Sequence, residues 1–436
     1  MGEKIFDQLG KKRSIVNYVS LIGEKGMYFI LSITIGVYFI NYLGPELFGR
    51  WSFAMSFVLL LAPFAQLGYS TILLRELIGD SKSKFHVLGS GFLLNTFGSL
   101  IIYTIICAVG HFLFDTEIFF LVAILGLTVF SNVFSGINTY FESKVSTKYN
   151  VIGNLIGRLI SSIGILVLIY FTKSLYWFAF NYLLGVVIAA CISVMIYSRL
   201  KNQSILQWRV DFSITKTIAI ASLVLALKNG FNLINSKIDQ IFITELIGFE
   251  SLGIYAVSAQ YTELLVFIPG VIFGTVFPSI IKDYYRKENI KGHIIAYNAL
   301  FFYLGLMLTL GVFFLAPIIL PILFSNKFYG AVDIMKIHAF SILFIFIGVP
   351  TAKIIVLKNL LKELLLVKFS GAMLNVFLNM FLITSYGLNG AAIATIISYS
   401  FSSTWGYLMF KSTRDLFLLQ VKGVIYPIQL LQKRLN

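Results

Sequence analysis

Charge is what this sequence has least of. Only 12% of its 436 residues are Asp, Glu, Lys or Arg, against roughly 25% in a soluble domain. The shortage excludes an ordinary water-soluble fold. Cysteine is almost missing too: Cys107 and Cys191 both sit in apolar segments, which excludes a disulfide framework and a cysteine-built metal site. The four histidines (His86, His111, His293 and His338) are scattered without ligand spacing, so neither metal nor haem is expected, and no cofactor at all. No Gly-rich phosphate loop, nucleophile–base constellation or nucleic-acid module occurs. ATP hydrolysis is therefore not intrinsic to the chain, and nucleic acid is not a partner. Long polar loops are also lacking. A membrane glycosyltransferase or polymerase would carry a large outer loop with paired carboxylates, so the chain is not read as an enzyme.

What is present is apolar. Hydrophobic residues make up 58% of the chain and the mean hydropathy is +0.88. A membrane-spanning helix needs about 20 consecutive apolar residues. Twelve such segments are predicted, near 15–40, 51–77, 87–110, 117–140, 150–171, 175–197, 217–244, 253–281, 293–324, 330–356, 363–385 and 388–411. The fold class expected is an all-α polytopic membrane protein. The formal net charge of +15 fits that class, because basic residues collect on the cytoplasmic side of membrane proteins. Only Arg50, Lys173 and Lys327 fall in odd-numbered loops. The even loops carry clusters such as RELIGDSKSK at 75–84 and KDYYRKENIK at 282–291. Both termini are therefore expected in the cytoplasm. The N-terminus MGEKIFDQLGKKRS reads as leading into an uncleaved first helix. The final stretch 413–436 reads as an interfacial amphipathic tail, interrupted by Lys422 and Pro427.

The chain also repeats itself. LGPELFGRWSFAMSF at 43–57 aligns with IGFESLGIYAVSAQY at 247–261 at an offset of 204 residues. Gly44 meets Gly248, Glu46 meets Glu250 and Gly49 meets Gly253. Both copies follow an odd-numbered span, so two six-helix lobes of the same topology are expected, 1–205 and 206–412. Parallel repeats of this kind are a transporter architecture.

Charge inside spans is costly. A lysine or arginine at midspan costs on the order of 3 kcal/mol on insertion scales. The stretch LKNGFNLINSKIDQ at 227–240 nevertheless places Lys228, Asn232, Asn235 and Asp239 on one helix face at i, i+4, i+7 and i+11. Lys237 points nearly opposite, to snorkel or to pair with a neighbouring helix. An ion pair of Lys228 is one structural reading of the stripe; Asp239, at i+11 on the same helix, cannot reach it, so the partner must stand on another helix, as Glu263 does. Asn154, Arg158 and Ser161 or Ser162 share a face beside Gly153 and Gly157, a pair suited to close helix packing. Ser131, Ser135, Asn138 and Glu142 form another stripe. Lys25, Tyr28 and Ser32 share a face with Glu24 adjacent. Bases outnumber acids in this buried set, which suits an anionic ligand. Asn and Ser stripes also serve as plain interhelical glue.

The run NYLGPELFGRWSFAMSFVLLLAPFAQLGYSTILLREL resembles the first-to-second-helix segment of Wzx-type polysaccharide flippases, members of the MOP superfamily with MATE exporters and lipid II flippases. KIDQIFITELIGFESLGIYAVSAQYTELLVFIPGVIFGTVFPSI and YGLNGAAIATIISY resemble later segments of the same family. The resemblance implies a MATE-like fold in the bacterial inner membrane. It also implies translocation of undecaprenyl-pyrophosphate-linked oligosaccharide repeat units, for O-antigen or capsule, from the cytoplasmic to the outer face. A polysaccharide polymerase and chain-length machinery would be partners. On that reading Arg158, Lys228 and Lys25 are candidates for the pyrophosphate. Asn232, Asn235, Asn154 and Tyr28 would complete the substrate site, and Asp239, Glu263 and Glu24 would carry a coupling ion. A MATE-like cation or drug antiporter, or a lipid II-type flippase, is the alternative; lipid II flippases carry more than twelve spans.

Overall fold

The computed structural model describes residues 19–66, 69–79, 84–201, 204–273 and 290–435. The N-terminal basic stretch 1–18, most of the basic cluster 282–291 and part of that at 75–84 lie outside them. Helices dominate, and no strand occurs among the described residues. Ten helical stretches among the described residues are long and apolar enough to cross a membrane. Two of the ten are double. Val19–Ile78 is broken at Gly44 (φ 73°), and Leu361–Leu408 at Gly387 (φ 57°). Dividing them there yields the twelve spans expected from hydropathy, at nearly the expected places.

We label the helices α1 (19–43), α2 (45–66), α3 (Tyr69–Gly79), α4 (Lys84–Leu113), α5 (Thr116–Ser143), α6 (Lys148–Phe171), α7 (Leu175–Lys201), α8 (Phe212–Leu246), α9 (Phe249–Phe273), α10 (Ile290–Leu323), α11 (Ala331–Leu357), α12 (361–386), α13 (388–403) and α14 (Lys411–Leu435). The chain divides into two compact units. One is residues 1–43 with 54–230, and the other is residues 44–53 with 231–436.

In the first unit, α6 lies along α7, and α4 along α5. Glycine sets the α6–α7 distance. A Cβ on Gly157 would meet the main chain of Gly185, and one on Gly153 would meet Ser193. The pair flagged in the sequence thus does bring two helices close. The core is aromatic, with Tyr69, Tyr140, Phe141 and Tyr197 buried together and Trp208 packed on them. The connection into α8 is tied down. Arg209 N–H donates to the Phe85 carbonyl at 3.2 Å, and Ser90 Oγ donates to the Asp211 carbonyl at 3.0 Å. Asp211 Oδ1 accepts from Ser213 N–H at 2.8 Å, an N-cap that starts α8.

The second unit displays the internal repeat in three dimensions. Gly44 and Gly248, aligned at offset 204, both hold positive φ, at 73° and 117°. Each lets the chain turn from one span into the next where a side chain would be strained. The helices that follow then meet reciprocally. A Cβ on Gly49 would collide with the Phe249 carbonyl, and one on Gly253 with the Pro45 carbonyl. Residues 45 and 249, like 49 and 253, are repeat equivalents, so the contact is a local pseudo-twofold. Valine at either glycine is expected to overpack this crossing and cost about 1–3 kcal/mol. Heating the detergent-solubilised variants and scoring monodisperse protein checks this; an unshifted midpoint for both would remove the crossing from the stability account.

The C-terminal stretch forms α14, which packs along α10. Leu416 and Leu419 are buried with Ile294, Ile354 and Tyr407, and Gln420 Nε2 donates to Thr351 Oγ1 at 2.7 Å. The opposite face exposes Leu418, Val421 and Ile425.

Candidate functional site

The first unit holds a cavity of about 340 Å³. Glu24 and Lys25 reach it from α1, and Asn154, Arg158 and Ser161 from α6. Tyr182 and Ser193 line it from α7, and Ser131, Asn132, Ser135 and Asn138 from α5. Two cations thus share the space with one carboxylate. Glu24 Oε1 accepts from Asn154 Nδ2 at 2.9 Å. One turn further along both helices, the Arg158 guanidinium carbon lies 3.8 Å from the centre of the Tyr28 ring. Neither Lys25 nor Arg158 forms an ion pair among the described residues. The lining otherwise consists of hydroxyls, amides and small residues.

The α5 wall departs from the helical stripe expected of it. Residues Leu127–Phe134 form a 3₁₀ segment within the span. Residues three apart eclipse there, so Asn132 falls in line with Ser135, and both line the cavity together with Ser131 and Asn138. Glu142, expected on the same stripe, is exposed and does not line it. The wall is braced from behind. Gln66 Nε2 donates to Asn132 Oδ1 at 2.5 Å, Asn95 Nδ2 donates to the Asn132 carbonyl at 2.7 Å, and Tyr69 Oη and Ser135 Oγ are 2.8 Å apart. Asn138 Oδ1 is buried with no hydrogen-bond partner among the described residues, an acceptor open to a ligand or a water.

The second unit has its own polar cluster. Lys237 Nζ and Glu263 Oε2 are 2.7 Å apart. Asp239 is fully buried; its Oδ2 accepts from the Tyr255 hydroxyl and from Thr395 Oγ1 at 3.4 Å. Asn235 Nδ2 donates to Ser402 Oγ at 3.3 Å. A space of about 10 Å³ lies among Ser236, Glu263, His338, Thr395 and Tyr399, room for about one water.

The sequence candidates therefore separate. Arg158, Lys25, Asn154, Tyr28 and Glu24 come together in the first unit. Asn235, Asp239 and Glu263 gather in the second. Lys228 and Asn232 are half-buried on α8, and Lys228 does not line the 340 Å³ cavity. The lysine bonded to Glu263 is Lys237, not Lys228. Lys237 does stand opposite the stripe, but that side of α8 faces α9 and not lipid. Three groups went unnoticed in the sequence. His338 looked like one scattered histidine, yet is buried against Tyr255 with ring centres 6.1 Å apart. Tyr182 had no neighbour in sequence to mark it. Lys368 carried no mark in the sequence either, yet its Nζ donates to the Ser402 carbonyl at 3.1 Å inside the α12–α13 hairpin.

A family described as "Polysaccharide biosynthesis protein" matches residues 42–333, more than half of the chain. No curated protein matches. A multidrug resistance MATE family transporter of the MOP superfamily, in an inward-facing conformation, superposes with TM-score 0.71 at 15% identity, covering 90% of this chain and 95% of its own. The lipid II flippase MurJ, in an inward closed conformation, superposes with TM-score 0.70 at 13% identity, covering 94% and 91%. A MOP superfamily transporter from Pyrococcus furiosus, described by a reversed polarity of its binding pocket, gives 0.64 at 14%, covering 93% and 96%. At these identities the structural likenesses establish the fold, which is that of the MOP superfamily.

Proposed function

This chain belongs to the polysaccharide biosynthesis family of Wzx-type flippases, and from that membership we propose that it moves an undecaprenyl-pyrophosphate-linked oligosaccharide repeat unit from the cytoplasmic to the outer face of the bacterial inner membrane. It is a multi-pass membrane protein of a transporter fold. The observation that carries the reading is the cavity of the first unit, where Lys25 and Arg158 stand without acid partners amid neutral hydroxyls and amides. A lipid diphosphate bearing sugars has the complementary chemistry. Arginine offers a fork to phosphate oxygens, and lysine a mobile point charge. Ser131, Asn132, Asn138 and Asn154 suit sugar hydroxyls, and Lys228, Asn232 and Asn235 on α8 are kept as further candidates for the same head group. A receptor for organic cations would invert the balance of charge.

The prenyl chain remains in the bilayer while the head group occupies the cavity. Alternating access then turns the cavity from the cytoplasm, where both termini reside, to the outside. The lobes that move are 1–205 and 206–412. Drive comes from a cation or proton at Asp239, Glu263 or Glu24, or from the membrane potential, worth about 2.3 kcal/mol per charge per 100 mV for an anion moving outward. A polymerase and its chain-length machinery receive the product.

The test is a deletion strain. Lipid-linked repeat units should accumulate on the cytoplasmic face while surface polysaccharide disappears. Unchanged surface polysaccharide would overturn the reading and favour export of a drug or cation.

A further inference from the structure

The two contacts between α1 and α6 form a short ladder. Glu24 and Tyr28 are four residues apart on α1, and Asn154 and Arg158 four apart on α6, so each pair lies on one helix face, one turn apart. The lower rung is the Asn154–Glu24 hydrogen bond at 2.9 Å, and the upper rung is Arg158 on the Tyr28 ring at 3.8 Å. The lower rung occupies the carboxylate that lines the cavity with an amide. The upper rung gives the guanidinium a neutral partner. At 3.8 Å no water fits between guanidinium and ring, so one face of Arg158 is closed. Its five N–H groups radiate in the plane of the guanidinium, and phosphate oxygens are bound at that edge and not at the face. Repeat symmetry does not reproduce this ladder: at the offset of 204, Glu24 corresponds to Lys228 and Tyr28 to Asn232.

We infer that Tyr28 is a positioning residue, which holds the Arg158 guanidinium edge-on to a diphosphate without neutralising it, and that Glu24 is withheld from Arg158 by Asn154 for the same end. This rests on the flippase reading and adds to it the means by which the anion is oriented. The ring is the operative part of Tyr28 and the hydroxyl is not.

The experiment measures binding of undecaprenyl pyrophosphate to the purified full-length protein in nanodiscs. Tyr28→Phe should bind within about twofold of the unsubstituted protein. Tyr28→Leu should weaken binding about five- to tenfold, the range of a partly desolvated cation–π contact. Arg158→Ala should lose more, and adding Tyr28→Leu to it should cost nothing further, because the platform then supports nothing. Equal losses in Tyr28→Phe and Tyr28→Leu would overturn the inference, and so would losses from Tyr28→Leu and Arg158→Ala that simply add. A protein that binds the lipid diphosphate with Tyr28→Leu harmless refutes the platform alone. One that binds none refutes the flippase reading, and the platform with it.

Discussion

Alanine at Arg158 is expected to abolish surface polysaccharide at normal expression while leaving the protein in the membrane. Arg158 is exposed to its cavity and makes no ion pair among the described residues. Truncation therefore strands no buried partner charge and should spare folding. Ligand binding is different. Each hydrogen bond to a charged group contributes about 1.5–3 kcal/mol, so a fork of two lost bonds corresponds to a hundredfold or more. Lysine at the same position keeps the charge and loses the fork. It should fall between the two, with residual transport that rises when the variant is overproduced. Quantifying surface polysaccharide against membrane-inserted protein separates these outcomes. Full activity of Arg158→Ala would remove the residue from the site and leave Lys25 as the sole cation there.

How such a residue can be picked from sequence depends on the physics behind each signal. The twelve spans were legible because lipid imposes a length and a composition on every helix that crosses it. The repeat was legible because Gly44 and Gly248 serve the same backbone need, a positive φ between spans, and that need restricts the residue type. Arg158 was legible because a midspan arginine is costly and must be explained. Its platform was not: Tyr28 lies 130 residues away, and only the packing of α1 on α6 brings the ring to 3.8 Å. The α5 wall misled for another reason. The 3₁₀ segment Leu127–Phe134 has ordinary residues in it, so a 100° wheel drawn through them leaves out Asn132, while Glu142, two turns past Ser135 in regular helix, is exposed and does not line the cavity. For Lys237 the sequence left two outcomes open, snorkelling or pairing with a neighbouring helix, and only the packing of α8 against α9 selects the pair with Glu263.

The side of α8 that faces α9 carries the other large expected effect. Lys237 and Glu263 sit 2.7 Å apart within membrane-spanning helices, with side chains 14% and 31% exposed. Removing one member of a buried pair leaves an uncompensated charge and costs about 3–5 kcal/mol, whereas removing both is far milder. Lys237→Ala should therefore lower the thermal midpoint of the solubilised protein steeply, and Lys237→Ala with Glu263→Ala should recover most of the loss. Stability and coupling part company in the double variant. If Glu263 serves only to balance Lys237, the double variant transports as well as it folds. If Glu263 also takes up the coupling ion beside Asp239, the double variant folds and inserts but fails to transport. Flux per inserted molecule in proteoliposomes, with and without an imposed ion gradient, distinguishes the two. A double variant as unstable as Lys237→Ala would show that the pair is not the energetic unit, and that His338 and Tyr399, which border the same space, depend on each charge separately.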